Sequence, residues 1–428
     1  MKICIIGAGS TYTPELIEGI ISKRETLPVT ELYLMDIDER KLNIVGGLCQ
    51  RMIEAAGLPC NVVLTMNYEE ALQGAEFVLA QIRVGKLPAR AKDERIPLKY
   101  GLIGQETCGM GGMFKGFRTI PVMLNIVKLM EKCCPNAWLI NFSNPSGLIA
   151  HALLNHTNVK MMGLCNVPIN MIDGIKRRLN LPNAHVEYIG LNHFTYVTSI
   201  EDNGKDYLND ALEAGVNSEA MKNIPVSGFT SEQVKAIGGI PSSYLEYYYL
   251  KDSKLEKLRK AEKTRAEVCM ELEEQLLELY KDSKLHVKPE QLSKRGGARY
   301  SEVAVSLVNA IYNDLQEVHV VNVLNNGALD FLEDNDAVEI QAVIGKDGAK
   351  PIKATHVNSE HIKEYIQMIK AYERHAVAAA ITGSKEEAIK AMVMNPLMND
   401  LNTSMACFEE MVEAHKEFLP QFVKEKNE

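Results

Sequence analysis

Short, largely apolar runs followed by glycine or polar residues recur along the first half of the chain. Runs of this length are typical of strands buried on both faces of a parallel sheet. Between them, apolar residues take helical spacing, as in Thr119–Cys133, and strands alternating with helices predict an α/β fold. The runs predicted as strands are Ile3–Ile6, Glu31–Asp36, Phe77–Ile82, Ala137–Pro145, Met161–Leu164 and Val186–Leu191.

The second half of the chain mixes helical patterns with strand-like runs, which predicts an α+β domain. The predicted strands are Gly190–Ile200, Glu317–Asn325 and Ala337–Val343. The predicted helices are Ile172–Leu179, Lys251–Leu279, Ser301–Tyr312, Glu360–Ala391 and Asp400–Phe422. Within Lys251–Leu279, Glu and Lys alternate at helical spacing, so this segment is predicted to be one solvent-exposed helix.

A glycine turn, Gly7-Ala8-Gly9-Ser10-Thr11, joins the first predicted strand to a helical pattern that begins near Pro14. In parallel α/β folds this turn holds the pyrophosphate of a dinucleotide. Tyr12 stands where a third glycine is usual, so the motif is partial. Asp36 ends the second strand and favours NAD over NADP, whereas the nearby Arg40 suits a 2′-phosphate. The candidate cofactor contacts are Gly7, Gly9, Ser10, Thr11, Asp36, Arg83 and Asn144.

These patterns predict a Rossmann-type parallel sheet with NAD bound in residues 1–168. Residues 169–428 are predicted to form a second, α+β domain, with the active site in the crevice between the two. The glycine-rich stretch Gly104–Gly112 is predicted to be a flexible loop that approaches a ligand closely. Asn144 follows a strand at the carboxyl edge of the sheet, where ligands bind in such folds.

Composition narrows the class of protein further. A length of 428 residues suits two domains, and 46% hydrophobic with 24% charged residues is an ordinary globular balance. The net charge of −9, with both signs interspersed, excludes nucleic acid as an expected partner. No apolar run approaches the roughly 20 residues of a membrane span, and the N-terminus lacks a signal-peptide pattern. The 9 cysteines have no repeated spacing, which favours a reduced, cytoplasmic protein.

Cys165 and His193 each follow a strand-like run. If those strands are neighbours, a thiolate and an imidazole converge and suit a divalent transition metal. The alternative is a buried cysteine that acts as a small hydrophobic residue and a histidine satisfied within the core. The two residues by themselves leave both readings open.

A set of motifs resembles glycoside hydrolase family 4. The two main segments are Pro135–Pro145 and Gly163–Pro168; Met162 stands where the family usually has Leu, Ile or Val. The remaining segments are Gly7–Ser10, Gly104–Thr107, Leu191–His193, Pro241–Leu245, Arg295–Ala298 and Asn325–Gly327. Members are NAD- and metal-dependent glycosidases on a lactate/malate-dehydrogenase-like fold. Asn166 after the cysteine, together with Tyr244, resembles the 6-phospho-β-glucosidase branch, since α-specific branches tend to have Asp there and another base.

The resemblance implies a reaction and roles for individual residues. The reaction is hydrolysis of 6-phospho-β-glucosides, such as cellobiose 6-phosphate, by hydride transfer from C3 to NAD, proton removal from C2, elimination and addition of water. Cys165 and His193 are expected to ligate manganese or another divalent metal, and Tyr244 to act as the base. The expected substrate contacts are Arg90, Asn144, Asn166 and Arg295.

Alternatives remain at this point. The chain is also compatible with a 6-phospho-α-glucosidase or α-galactosidase of the same family. An NAD-dependent 2-hydroxy-acid dehydrogenase would use His193 as acid and base and leave Cys165 without a role. A non-catalytic NAD-binding protein is a third reading. We expect a small phosphorylated disaccharide or glucoside as the binding partner, and a homodimer or homotetramer as the assembly.

Overall fold

The computed structural model describes residues 1–215, 228–295, 299–398 and 400–423. Its first half is an open parallel sheet. Within residues 1–215, the parallel strands are β1 Lys2–Ile6, β2 Glu31–Met35, β3 Asn61–Thr65, β4 Phe77–Ala80, β5 Trp138–Asn141 and β6 Lys160–Gly163. They lie side by side in the order β3-β2-β1-β4-β5-β6, which is the order of dinucleotide-binding folds.

Helices cover both faces of this sheet, so its strands are buried, and Ile3, Ile5 and Leu34 are each 0% exposed. This is why those strands read as continuous apolar runs. The helices that connect and follow them are α1 Thr13–Ser22, α2 Glu39–Ala55, α3 Tyr68–Leu72, α4 Lys86–Lys99, α5 Gly109–Cys133, α6 Ser146–His156 and α7 Val167–Leu179. Asp38 caps α2 by accepting a hydrogen bond from the Lys41 amide, as expected for an N-cap aspartate.

The second half contributes a small sheet and also extends the first one. The later strands are β7 His185–Leu191, β8 Phe194–Asp202, β9 Lys205–Asp206, β10 Ile240–Pro241, β11 Glu317–Leu324, β12 Ala337–Gly345 and β13 Gly348–Pro351. Among the described residues, β7, β8, β9 and β10 form an antiparallel sheet, while β11, β12 and β13 continue the first sheet beyond β6. The predicted α/β fold with a second α+β region is therefore confirmed.

Helices pack around both sheets in the second half. They are α8 Leu208–Glu213, α9 Ser231–Ile237, α10 Glu246–Tyr249, α11 Lys251–Lys260, α12 Arg265–Tyr280, α13 Tyr300–Tyr312, α14 Glu360–Thr382, α15 Lys385–Met394 and α16 Leu401–His415. None of the helices in the described ranges is both long and apolar enough to cross a membrane. The predicted boundary at 168/169 stays a prediction, although three strands beyond it belong to the first sheet.

The prediction of a flexible loop over Gly104–Gly112 was wrong for its second part, because Gly109 begins α5. The glycines there allow close packing. A Cβ at Gly111 would lie 2.3 Å from the Gln105 carbonyl oxygen and 2.7 Å from that of Asp93. The helix start is thus pressed against backbone that only glycine accommodates.

Two long helices predicted from the sequence are each divided in two. Lys251–Leu279 breaks before Thr264, whose side chain forms a capping box with Glu267 at the start of α12. Cys269, Leu276 and Leu277 on α12 are buried, so its prediction as a solvent-exposed helix was wrong. Glu360–Ala391 breaks at Gly383, whose backbone φ is +69°.

Candidate active site

A cavity of about 500 Å³ opens at the carboxyl edge of the parallel strands. Each strand that borders it is followed by a polar or glycine residue that lines the cavity, which is where ligands bind in open α/β folds. The predicted site residues that line it are Gly7, Gly9, Ser10, Asp36, Arg83, Arg90, Asn144, Asn166, His193, Tyr244 and Arg295. The fold thus collects residues from both halves of the chain around one space.

The glycine turn forms one end of the cavity, and a hydrogen bond to the Asp36 carboxylate stabilises its conformation. The Gly9 amide donates a hydrogen bond to Asp36 Oδ2 at 2.8 Å, and the Asp38 amide donates to Asp36 Oδ1 at 2.9 Å. A Cβ at Gly9 would lie 2.9 Å from Asp36 Oδ2, so glycine is required for this approach. Burial raises the pKa of Asp36, and the two amide hydrogen bonds oppose that shift.

The other end of the cavity holds His193, Tyr244 and the neighbouring Cys165. Cys165 follows β6, while His193 lies in the two-residue turn between β7 and β8. These strands belong to different sheets, so the pair does not arise from neighbouring strands as the prediction supposed. The rings of His193 and Tyr244 stack with centroids 3.9 Å apart and planes inclined by 13°. Cys165 packs in the same apolar cluster as Tyr244.

His193 has an uncommon backbone conformation and a buried side chain. Its backbone φ is +65°, in the left-handed region that non-glycine residues rarely adopt. Its side chain is buried, and Nδ1 has no hydrogen-bond partner among the described residues. Burial, with a smaller contribution from Lys115, lowers the pKa of His193 to about 3, so the imidazole is neutral. Burial and the Glu339 carboxylate raise the pKa of the Cys165 thiol well above its ordinary value.

One wall of the cavity is a cluster of three cations around Glu106. Arg83 forms an ion pair with Glu106, Arg90 Nη1 lies 2.7 Å from Glu106 Oε1, and Lys115 Nζ lies 2.6 Å from Glu106 Oε2. Burial opposes ionisation of Glu106, but the three cations outweigh it and hold its pKa well below the ordinary value. Burial and the charge of Arg83 lower the pKa of Lys115 to about 7. The wall therefore carries net positive charge towards the cavity.

Glu106 and Lys115 are functional candidates that were not predicted from the sequence. Glu106 was visible only as part of the Gly104–Thr107 motif. Its partners Arg83 and Arg90 come from the segment after β4, and Lys115 from α5. The one feature of the sequence that pointed to Glu106 was its position as a carboxylate inside a glycine-rich segment that follows several arginines.

Arg295 lines the cavity beside Tyr12 and Glu273. Its guanidinium carbon is 5.4 Å from the centre of the Tyr12 ring, and its Nη2 is 3.6 Å from Glu273 Oε2. Arg295 Nε is buried without a hydrogen-bond partner in the described part of the chain. The residues after it in the motif, 296–298, lie outside the described residues.

Some predicted residues lie off the cavity surface. Thr11 is buried and is not among the cavity-lining residues; its carbonyl oxygen accepts a hydrogen bond from Tyr280 at 2.8 Å. Cys165 is 4% exposed and lies behind the surface formed by Asn166 and His193. Tyr248, four residues after Tyr244, packs edge-on against Phe194 and not into the cavity.

Comparison with known protein families accounts for this combination of features. The sequence model described as family 4 glycosyl hydrolase matches residues 2–181, and that of its C-terminal domain matches residues 188–398. The chain belongs to glycosyl hydrolase family 4. The resemblance inferred from the motifs is confirmed.

Members of family 4 resemble the chain over nearly its whole length. A Bacillus subtilis protein named "Probable 6-phospho-beta-glucosidase" is 46% identical over 99% of this chain and 98% of its own. The 6-phospho-beta-glucosidase of Escherichia coli is 41% identical over 99% of this chain and 97% of its own. The structure of the Thermotoga maritima 6-phospho-beta glucosidase with manganese, NAD⁺ and glucose-6-phosphate matches with a TM-score of 0.88 at 32% identity, over 98% of this chain and 99% of that chain.

The fold extends beyond family 4. A lactate dehydrogenase from Eimeria maxima superposes with a TM-score of 0.54 at 14% identity, over 90% of this chain and 98% of that chain. This likeness confirms the predicted lactate-dehydrogenase-like fold, and at such identity it concerns the fold alone.

Proposed function

We propose that this family 4 glycosyl hydrolase cleaves 6-phospho-β-glucosides with the help of bound NAD and a divalent metal, manganese by preference. The observation that carries the proposal is the stacked His193–Tyr244 pair beside Cys165, in the same cavity as the glycine turn. The names and bound groups of the similar proteins support it. Water is the second substrate, and the reaction has no net redox change.

The residues present fit a metal ion. His193 is neutral and its buried Nδ1 lacks a hydrogen-bond partner within the described ranges, and a neutral imidazole is a common metal ligand. Cys165, in the apolar cluster that also contains Tyr244, would supply sulfur. No group of three or more His, Cys, Asp or Glu able to hold a metal occurs among the described residues. A two-ligand site of this kind leaves positions open for oxygen atoms of a sugar.

The glycine turn fits a dinucleotide. The close approach of Gly9 to Asp36 leaves the turn without a side chain where a pyrophosphate approaches. Further along the cavity, the Ile82 amide donates to Ser143 Oγ at 2.9 Å. This bond joins the ends of β4 and β5 and positions Arg83 and Asn144, the two cofactor candidates nearest the cavity's centre.

When bound, NAD supplies reversible hydride acceptance at C3 of the sugar, and the metal supplies a Lewis acid that makes the neighbouring C2 proton acidic. Tyr244 takes up that proton as general base in its phenolate form, which the positive charge of the bound metal would favour, and becomes a neutral phenol. Stacking on His193 fixes the plane of the Tyr244 ring. The aglycone then leaves from C1 with a proton, which creates a C1–C2 double bond. Water adds at C1, Tyr244 returns a proton to C2, and the hydride returns to C3, so that no net redox change results. The Cys165–Pro168 segment and the β7–β8 turn hold their side chains on the wall that the sugar ring faces.

Arg295 is the better candidate for the sugar phosphate than Arg90. Arg90 is already bound by Glu94 at 2.7 Å and by Glu106 at 2.7 Å. Arg295 has one carboxylate at 3.6 Å, and its buried Nε lacks a partner in the described structure. Arginine in such a state suits a phosphate through charge-assisted hydrogen bonds. Asn144 and Asn166 supply neutral hydrogen bonds to the sugar.

The other readings are less well supported. A dehydrogenase that uses His193 as acid and base requires an imidazole that protonates near neutral pH, whereas burial lowers the pKa of His193 to about 3. For the α-specific branches, Asn166 after the cysteine and the names of the most similar relatives both favour the β-linkage.

The test is incubation with a chromogenic 6-phospho-β-glucoside, with and without NAD⁺ and Mn²⁺. We expect hydrolysis only when both are present, no accumulation of NADH, and little turnover of the neutral glucoside or of the 6-phospho-α-glucoside. Turnover in excess EDTA, or NADH formed in proportion to product, contradicts the proposal.

We propose in addition that the protein acts in the cytoplasm as a homodimer or homotetramer. The 9 cysteines without repeated spacing support the cytoplasmic location. Sedimentation velocity measures the oligomeric state, and a monomer at micromolar concentration contradicts the proposed homodimer or homotetramer. Limited proteolysis tests the proposed boundary at 168/169.

A further inference from the structure

Two basic residues follow Asp36 in the chain, close to the end of β2, where NADP would place its 2′-phosphate. These are Arg40 and Lys41, in the first turn of α2. The Cβ of Lys41 lies close to the glycine turn: a Cβ built at Gly9 is 3.0 Å from it and 2.9 Å from Asp36 Oδ2. Basic side chains at this position accommodate the 2′-phosphate of NADP. Arg40 and Lys41 thus oppose the preference that Asp36 sets.

Helix α12, from the second half of the chain, supplies a carboxylate to each of these cations. Lys41 forms an ion pair with Glu273, and the side chains are only 17% and 13% exposed. Arg40 binds Glu274 at 2.7 Å, but this pair is exposed, at 56% and 60%. Lys41 and Glu273 both line the cavity. An ion pair in a partly buried place acts more strongly than one at the surface.

We propose that Glu273 is a specificity-determining residue that keeps the cavity selective for NAD over NADP. It binds Lys41, which would otherwise be free to bind a 2′-phosphate beside Asp36. This inference rests on the proposed use of NAD. Selectivity is then divided between the glycine-turn half, which contributes Asp36, and the second half, which contributes Glu273.

The position of α12 does not depend on this ion pair. Arg51 of α2 donates to the carbonyl oxygens of Leu285 and Tyr280, each at 2.7 Å. The Tyr280 hydroxyl donates to the Thr11 carbonyl oxygen at 2.8 Å. These contacts hold the C-terminal end of α12 against α2 and the glycine turn. Replacing Glu273 is therefore expected to change charge in the cavity without displacing the helix.

The experiment measures binding of NAD⁺ and NADP⁺ by calorimetry, without metal or sugar, so that the contact proposed between Arg295 and the sugar phosphate does not enter. Glu273→Gln keeps the size of the side chain and removes its charge. We expect NADP⁺ to bind roughly 10- to 100-fold more tightly than to the unaltered protein, the value of one charge-assisted contact. Affinity for NAD⁺ should change much less.

Two further variants separate the proposed role from a general charge effect. Glu271→Gln removes a carboxylate of the same helix that pairs with Lys263 at the surface, and it should leave both affinities unchanged. Adding Lys41→Met to Glu273→Gln should abolish the gain. The inference is overturned if the ratio of the two affinities stays constant in Glu273→Gln or changes equally in Glu271→Gln. It is also overturned if the gain in NADP⁺ affinity persists when Lys41 is replaced as well. If the unaltered protein binds neither dinucleotide, the proposed function itself fails.

Discussion

His193 and Tyr244 illustrate how single residues are prepared for chemistry in this site. The tight β7–β8 turn places His193 in a left-handed conformation, and burial keeps its ring neutral. Tyr244 lies 8% exposed against that ring. Each side chain has its orientation determined before any ligand binds, which is the condition for efficient proton transfer.

Tyr244→Phe keeps the stacked ring and removes the phenol oxygen. We expect turnover to fall by about 10²–10⁴-fold, the usual contribution of a general base, with NAD⁺ binding retained. Hydrolysis by the unaltered protein in D₂O should give product with deuterium at C2, measured by NMR.

Tyr249→Phe is the matched control, because its hydroxyl contacts Tyr196 and His361, each at 2.8 Å, and it does not line the cavity. Its turnover should stay close to that of the unaltered protein. The role of Tyr244 is contradicted if its substitution leaves the rate unchanged, or if C2- and C3-deuterated substrates show no isotope effect while NAD⁺ is dispensable.

Cys165→Ser and His193→Ala should each abolish tight Mn²⁺ binding, followed by electron paramagnetic resonance. The loss should exceed the roughly 10–100-fold expected when a residue only supports a metal ligand. NAD⁺ binding, to which the glycine turn and Asp36 contribute, should persist in both variants. Unchanged Mn²⁺ affinity in either one would remove that residue from the proposed ligand set.

At the scale of elements, the Glu106 cluster joins three segments at one wall of the cavity. Arg83 follows β4, Arg90 lies on α4, and Lys115 lies on α5. One carboxylate pairs with two buried basic residues, Arg90 and Lys115, and with the partly exposed Arg83, so the packing of α4 and α5 against the end of β4 depends on it.

Glu106→Gln should lower the free energy of unfolding by about 3–5 kcal/mol near pH 7, because the cations lose their buried partner. The pKa of Glu106 in the folded protein lies well below its ordinary 4.5. The folded state therefore binds fewer protons, and the contribution of Glu106 is complete above that pH and is lost as the pH falls.

Urea titrations at several pH values measure how the free energy of unfolding depends on pH. The difference between Glu106→Gln and the unaltered protein should shrink as the pH is lowered below 4.5, the ordinary pKa. Glu278→Gln, which breaks an exposed pair with Lys281, serves as the control and should be close to neutral at every pH. A difference that stays constant down to acid pH argues against the ionised Glu106.

At the scale of the whole molecule, the two halves share both a sheet and a cavity. Strands β11, β12 and β13 continue the sheet of the first half, and residues from Gly7 to Phe418 line the same space. A ligand in that space contacts both halves, so its binding energy stabilises the two together.

Thermal unfolding followed by calorimetry should therefore give one transition that NAD⁺ shifts upward as a unit. At a concentration about 100 times the dissociation constant, the stabilisation should be about 2.7 kcal/mol. Two transitions, of which NAD⁺ moves only one, would indicate that the halves unfold independently despite the shared sheet.

The sequence by itself determined the features that depend on neighbouring positions. Apolar runs and the glycine turn at Gly7–Ser10 predicted the parallel sheet and its dinucleotide site. The Cys165–Pro168 motif predicted the family. Local patterns carry this information because strand burial and turn geometry follow from consecutive residues.

The tertiary structure decided whatever depends on segments far apart in the chain. It placed three cations around Glu106, and Glu273 of the second half on Lys41 of the first. Gly109–Gly112, which was expected to be a loop, starts a helix in the structure. The Gln105 and Asp93 carbonyl oxygens lie so close to Gly111 that only glycine fits there. Such contacts form only when the elements pack, and a local pattern of apolar and polar residues does not specify which distant residue will be the partner.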